Sequence, residues 1–288
     1  MIVYTSPIIE QASGDPFYVC LLSDLHIGSM SCSIERIKED LERAKKLNAR
    51  ISINGDIFDF ILPSDKKRFR LSAVPERLYK AGDNITGAAI KWAEEVLGPY
   101  APLIDVIGVG NHDDTASKHH GNDMVTELVV RLNEKHGGNI RYGGYCGWLH
   151  YRFQLQGRTE RRGFKIQYHH GSGGSGPVSK GMPGFQRAAA WIEGADCIWR
   201  GHKHHKTVDR NVVQYLSDSG KVHHKDRLFV MSASYLFTYE QQDAVNALET
   251  GRRANYAADW DVAPQAHGGV FLRLDIENNK GVHAMAEI

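Results

Sequence analysis

The sequence predicts an α/β protein built on a parallel, helix-covered sheet, and two observations predict it. Three short aliphatic or β-branched runs, 17–23, 50–54 and 103–109, each lead into coordinating side chains. These are Asp24-Leu25-His26, Gly55-Asp56-Ile57-Phe58-Asp59 and Gly110-Asn111-His112-Asp113. Between the runs lie segments with apolar residues at helical spacing, so strand, helix and parallel strand alternate. In such sheets ligands collect at the carboxyl ends of the strands.

The first run, Phe17 to Ser23, delivers Asp24 and His26. Two residues apart in an extended segment, their side chains emerge on one face. That suits a metal ion or an Asp–His hydrogen bond equally. Ser33 then reads as an N-cap, followed by Ile34, Ile37, Leu41 and Ala44 at helical spacing to about Leu47. The second run, through Ile51 and Ile53, ends in Gly55 and Asp56.

Residues 62–82 break the rhythm. Lys66, Lys67, Arg68, Arg70, Arg77 and Lys80 face only Asp65 and Glu76, and Pro63 and Pro75 interrupt. The segment reads as a basic insertion at the mouth of a site, or as a solvated loop. A helix follows over 85–97, then the third run, then a helix near 123–135 closed by Gly137 and Gly138. Residues 147–156 and 164–169 alternate apolar and polar, as a hairpin does. The second arm ends at His169-His170-Gly171, and a glycine-rich stretch runs to Pro177. Its amides can cradle an anion or form a plain loop; it lacks the Gly-Lys-Ser/Thr ending of a nucleotide P-loop. A helix around 185–193 precedes a strand at 197–200 that ends in Gly201-His202-Lys203-His204. Further strands are predicted at 211–216, 227–232 and 269–276.

Composition sets bounds on this reading. The 288 residues are 42% apolar and 24% charged, ordinary for a globular protein with a sizeable core. Lys plus Arg total 35 against 34 Asp plus Glu, so the overall charge selects no polyanionic partner. No stretch approaches the ~20 apolar residues of a membrane span, and the N-terminus shows no leader pattern. Cys20, Cys32, Cys146 and Cys197 lack CxxC spacing and read as reduced thiols in a cytoplasmic protein. No repeat or linker divides the chain, so 1–288 is expected to be one domain. The unusual feature is 15 histidines, several beside glycine or aspartate.

Collected, the strand ends supply Asp24, His26, Asp56, Asn111, His169 or His170, His202 and His204. Burying so many charges and imidazoles together is costly unless cations compensate them. Nitrogen and oxygen donors without thiolate suit two divalent ions, Mn first, then Fe, Zn, Co or Ni.

At this point the pattern resembles the calcineurin-like metallophosphoesterases. Asp24-x-His26, Gly55-Asp56-x-x-Asp59, Gly110-Asn111-His112-Asp113, His170-Gly171 and Gly201-His202-x-His204 look like that family's five ordered motifs, over roughly 18–205. The resemblance implies a four-layer α/β/β/α sandwich of two mixed sheets flanked by helices. It implies Asp24, His26 and His204 on one metal, Asn111, His170 and His202 on the other, and Asp56 bridging. It implies a metal-bridging hydroxide as nucleophile, with His112 off the metals at the leaving oxygen and Asp59 or Asp113 orienting it. His170 is preferred to His169 because the family ligand directly precedes the glycine.

Phe60 follows Asp59 and Asp113 follows His112, where Ser/Thr protein phosphatases continue differently. This speaks against a protein phosphatase and is compatible with the nuclease, nucleotide phosphodiesterase and small-phosphatase branches. The run 171–181 and the basic segment also resemble phage or prophage members. The expected activity is hydrolysis of phosphate esters, phosphodiesters first. Small-molecule phosphatase and non-catalytic metal-dependent binder are the alternatives. Lys66, Lys67, Arg68 and Arg70, with Arg158, Arg161, Arg162 and Lys165 of the hairpin connection, are expected to flank the site and favour DNA or RNA.

Overall fold

The computed structural model describes residues 1–59, 74–121, 123–174, 176, 178–237, 265–277 and 281–287. In chain order the first elements are β1 (Ile2–Gln11), β2 (Phe17–Leu22), α1 (Ile34–Lys46), β3 (Arg50–Ile53), α2 (Glu76–Tyr79), α3 (Ile85–Leu97) and β4 (Ile104–Ile107). Then come α4 (Asn111–His120), α5 (Met124–His136), β5 (Arg141–Tyr142), β6 (Cys146–Leu155), β7 (Arg161–His169) and α6 (Met182–Ala189). The chain continues through β8 (Cys197–Arg200), β9 (Thr207–Leu216), β10 (Val222–Met231), β11 (Val270–Glu277) and β12 (Gly281–Glu287).

The strands form two six-stranded sheets, ordered β12-β11-β2-β3-β4-β5 and β1-β6-β7-β8-β10-β9. Both are mixed. β2 through β5 are parallel, while β11 joins β2 antiparallel. In the other sheet β1–β6, β7–β8 and β8–β10 are parallel, and β6–β7 and β9–β10 antiparallel. The single helix-covered sheet that the strand-end pattern alone suggests is thus two sheets, the arrangement implied by the resemblance.

Burial explains the layering. Cys20 and Leu22 of β2 pack with Ile37 and Leu41 of α1 and Ile90 of α3 in one cluster. Val19 and Leu21, on the opposite face, pack with Leu149, Tyr151 and Phe153 of β6 in a second. β6 itself alternates buried and half-buried residues along its whole length, as a strand with one core face must. A third cluster seats Phe185 and Ala188 of α6 on Ile198, Phe229 and Met231. Three apolar interfaces therefore separate four layers. The helices start where their sequences allow: Ser33 accepts from the Arg36 amide and Asp123 from the Thr126 amide. Among the described residues, no helix is long and apolar enough to cross a membrane.

Register decides where chemistry gathers. Leu22 pairs with Ile53 and Ile53 with Ile107, so β2, β3 and β4 end level and release their motifs side by side. His169 pairs with Arg200, which does the same for β7 and β8. The two sheets are tied at this edge. Asn54 Nδ2 donates to the His169 carbonyl at 3.1 Å, and Trp199 Nε1 donates to Ser232 Oγ, which lies 2.7 Å from Ser23 Oγ.

Candidate dimetal centre

Five of the predicted ligands lie in a backbone conformation that side chains avoid. Among the described residues seven non-glycines have positive φ, and Asp24 (54°), His26 (50°), Asp56 (49°), His202 (70°) and His204 (55°) are five of them. Each such residue costs about 1–3 kcal/mol and persists only where its surroundings over-determine it. Here they do. The Asp24 amide donates to Gly55 O, the His26 amide to Asp56 O and the Tyr235 amide to Asp24 O, all at 3.0 Å. The His202 amide reaches both Asp24 carboxylate oxygens at 3.1 and 3.0 Å.

Glycines permit this closeness. A Cβ on Gly110 would lie 2.6 Å from Asp56 Cγ and closer still to Oδ1 and the amide nitrogen; one on Gly201 would lie 2.7 Å from Asp24 Oδ2. The glycine before each of these ligand loops is therefore required by contact with a carboxylate, not only by turning.

Among the described residues three His/Asp groupings result, each with its ligand atoms within 4.8 Å of one another: Asp24, His26 and His204; Asp56, His170 and His202; and His26, Asp59 and His112. In the first, His26 Nε2 and His204 Nε2 face each other at 3.3 Å, and Asp24 Oδ1 lies 3.4 Å from His204 Nε2. In the second, His170 Nε2 is 3.1 Å from Asp56 Oδ2 and 3.3 Å from Asn111 Oδ1. Asp24 Oδ1 is 4.0 Å from both His26 Nε2 and His170 Nε2, so the two groupings adjoin. Asp24, His26, Asp56 and His170 are at most 1% exposed.

Buried imidazole nitrogens converging on one another and on carboxylates fit cations, since only one proton can lie between two such nitrogens. The tautomers agree. His170 Nδ1 is 2.7 Å from the Asn54 carbonyl, which can only accept, so Nδ1 carries a proton and Nε2, facing Asp56, is the atom at which a metal would take the place of a proton. The Asn54 carbonyl is a functional group that motif spacing alone does not assign, although Asn54 stands directly before Gly55-Asp56. His169, by contrast, turns away: its Nδ1 accepts from the Gly171 amide, and burial with nearby Arg200 lowers its pKa to about 4.

Charge is distributed to suit ligation. Burial acts to raise Asp24, but the His204 hydrogen bond and the His170, His204 and His26 charges hold it well below the usual carboxylate range. Asp56 is likewise lowered against burial, by its contact with His170 and by the charges of His170 and His26. Both are ready as anionic ligands.

Asp59 and Asp113 part company. Asp59 Oδ1 is 3.0 Å from His112 Nδ1 and 3.5 Å from His26 Nδ1. Although burial lowers the His112 pKa, the Asp59 hydrogen bond and the charges of Asp56, Asp59 and Asp113 raise it to about 9. Asp113 instead accepts the amides of Ile57, Phe58 and Gly110 at 3.2, 3.1 and 3.0 Å. It ties the β3 and β4 loops together, and Asp59 is the carboxylate facing His112.

The basic residues are separated. Lys66, Lys67, Arg68 and Arg70 lie outside the described residues. The hairpin connection expected beside the site is at the wrong end. β7 begins at Arg161 and reaches the cluster only after His169. At about 3.4 Å per residue its start lies roughly 27 Å away. Arg158, Arg161 and Arg162 therefore do not flank the centre.

No protein-family model and no curated protein matches the chain. Among solved structures it is similar to a predicted phosphoesterase from Streptococcus pneumoniae, at 13% identity over 94% of this chain and 98% of that one, with a TM-score of 0.33. It is similar to Vps29 from Chaetomium thermophilum at 12% identity over 94% of each chain, with a TM-score of 0.33. A dimetal phosphatase from Danio rerio shares 8% identity over 94% of this chain and 98% of that one, with a TM-score of 0.36. Likeness at this level says nothing of chemistry, which rests on the side chains.

Proposed function

We propose that the chain is a dimetal phosphoesterase of the calcineurin-like type, and more narrowly a phosphodiesterase. The observation that supports this most is the meeting of two His/Asp donor groupings from two sheets beside a His112–Asp59 pair. Asp24, His26 and His204 would hold one ion, Asn111, His170 and His202 the second, and Asp56 would serve both. Two divalent cations there, Mn first, supply an acidified water and charge neutralisation at phosphoryl oxygens.

The remaining work falls to the chain. With Nδ1 turned to Asp59, His112 has Nε2 left for substrate, and its raised pKa keeps it protonated at neutral pH. It donates that proton to the leaving oxygen, and Asp59 fixes the ring and balances its charge. A simple binder of phosphorylated partners has no need of this pair.

We infer a phosphodiester preference, extending to DNA or RNA, from the basic segment with Lys66, Lys67, Arg68 and Arg70. The test is steady-state hydrolysis with Mn over monoesters, diesters and single- and double-stranded DNA. Turnover of diesters above monoesters is expected. Two bound ions without hydrolysis of any ester would leave the non-catalytic binder in its place.

A further inference from the structure

Beside the histidine loops lies a cavity of about 270 Å³ whose wall the hydrolytic reading leaves unused. Gly171, Gly201 and Lys203 form part of that wall. They are the chain neighbours of His170, His202 and His204, so the cavity adjoins the candidate centre. Arg187 of α6, Trp191 just after it, Arg200 and His169 line it too.

Its chemistry is one-sided. Arg187, Arg200 and Lys203 line it, and among the described residues no acidic one does. Arg200 is half-buried on the outer face of β8, and among the described residues no carboxylate lies within ion-pair distance of it. Its Nη1 donates instead to the neutral Gln167 Oε1 and the Trp199 carbonyl, both at 2.8 Å. A guanidinium taken partly out of water with only neutral acceptors lacks the compensation that such a group usually has. Lys203 Nζ is held at 2.9 Å by the Gly174 carbonyl, which brings the glycine-rich loop to the cavity mouth. Trp191 lines the cavity and is 66% exposed, leaving much of its indole open.

We propose that this cavity is a subsite for a second phosphate group of the substrate, with Arg200 and Arg187 as its recognising cations. Planar guanidinium groups match phosphate oxygens in pairs. The volume admits a phosphate, and the open Trp191 indole offers a stacking surface for an attached base. The proposal rests on the phosphoesterase reading and narrows it: preferred substrates carry a phosphate next to the scissile one, as nucleoside di- and triphosphates and oligonucleotides do. It also gives the glycine-rich stretch a role, since Gly171 lines the wall and the Gly174 carbonyl positions Lys203.

Two measurements test it. Inorganic phosphate is titrated by calorimetry onto the full chain freed of metal by chelation, so that the result is independent of turnover. Wild type is expected to bind one phosphate, Arg200→Gln and Arg187→Gln each to weaken it about tenfold, and Arg200→Lys to weaken it less. Absence of binding to wild type, or equal affinity in wild type and both glutamine variants, overturns the subsite. Arg187 is exposed and holds no core, so its variant remains informative where Arg200→Gln does not fold. The second measurement compares KM of the Mn-loaded chain for a thymidine dinucleotide with and without a terminal 5′ phosphate. A lower KM with the phosphate, lost in Arg187→Gln, is expected; equal KM values in wild type overturn the assignment to substrate. Absence of hydrolysis on every ester, with phosphate binding intact, would fault the phosphoesterase reading and not the anion site.

Discussion

Gly110→Ala isolates what the close approach of backbone to carboxylate contributes. Gly110 has φ −109° and ψ −175°, extended backbone that alanine adopts freely, so no dihedral strain is added. The added methyl would lie 2.6 Å from Asp56 Cγ. Carbon atoms prefer about 3.5–4.0 Å, so the Asp56 carboxylate or the Gly110 loop must move by roughly 1 Å. Asp56 also accepts the His112 amide at 2.9 Å and contacts His170 Nε2 at 3.1 Å, so the shift reaches His112 and one metal grouping together. A ~1 Å misplacement at a reacting centre costs about 10²-fold in rate. Overpacking of one methyl costs about 1–3 kcal/mol of stability, partly offset by the lower entropy of the unfolded alanine chain. The assay is Mn-dependent hydrolysis of bis(4-nitrophenyl) phosphate alongside a thermal melt. The expected result is a loss of about 10²-fold in kcat/KM with a Tm lower by only a few degrees. Turnover within about threefold of wild type would refute the claimed role of the glycine–carboxylate contact.

Three further predictions concern the proposed proton donor, the strained loops and the inter-sheet core. His112→Ala keeps both ions but slows turnover by about 10²–10⁴, and the loss shrinks on esters with nitrophenolate leaving groups. An equal loss on good and poor leaving groups would make His112 a substrate-positioning residue. Because the positive-φ loops carry the donors, Mn should raise Tm above that of the chelated chain, each ion contributing about 2.7 kcal/mol at 100 times its Kd; coincident melts would contradict binding at these loops. Asp105, 1% exposed, accepts from Tyr4 Oη at 2.7 Å, Tyr151 Oη at 2.9 Å and Arg50 Nε at 3.0 Å, joining β4 and β3 to the opposite sheet. Asp105→Ala strands those donors and should cost about 3–5 kcal/mol in urea unfolding; a loss below about 1 kcal/mol would show the network to be dispensable.

The convergence of the candidate donors was legible in the sequence because each follows a strand with an obvious apolar run. The helices α1, α3 and α5 were legible from spacing and from Ser33 as a cap. What spacing could not show is which sheet each strand joins, so the two-sheet arrangement came only from the family likeness. β1 is interrupted by Ser6-Pro7, and its Ser6 is turned inward, where its hydroxyl accepts the Arg152 amide at 3.0 Å, so it does not read as a strand. α4, Asn111 to His120, begins inside the ligand motif and lacks an apolar stripe, which hides it from periodicity. β5 has two residues, and β12 lies at a sheet edge with one buried residue described, Ala284. The misplaced basic connection shares one cause with these misses: charge counts along a chain carry no information about which end of a strand they occupy. Positive φ at five ligands was likewise invisible, since aspartate and histidine do not announce it as glycine does.

The central proposal is that Asp56 would serve two metal ions in one site, and metal stoichiometry tests it most directly. Mn bound per chain is measured for wild type and Asp56→Asn after dialysis against equal free metal. The proposed ligand assignment predicts two ions in wild type and loss of both in the variant, with hydrolysis of bis(4-nitrophenyl) phosphate lost in parallel. Two ions retained at wild-type occupancy in Asp56→Asn, or a single ion in the active wild-type chain, would contradict it.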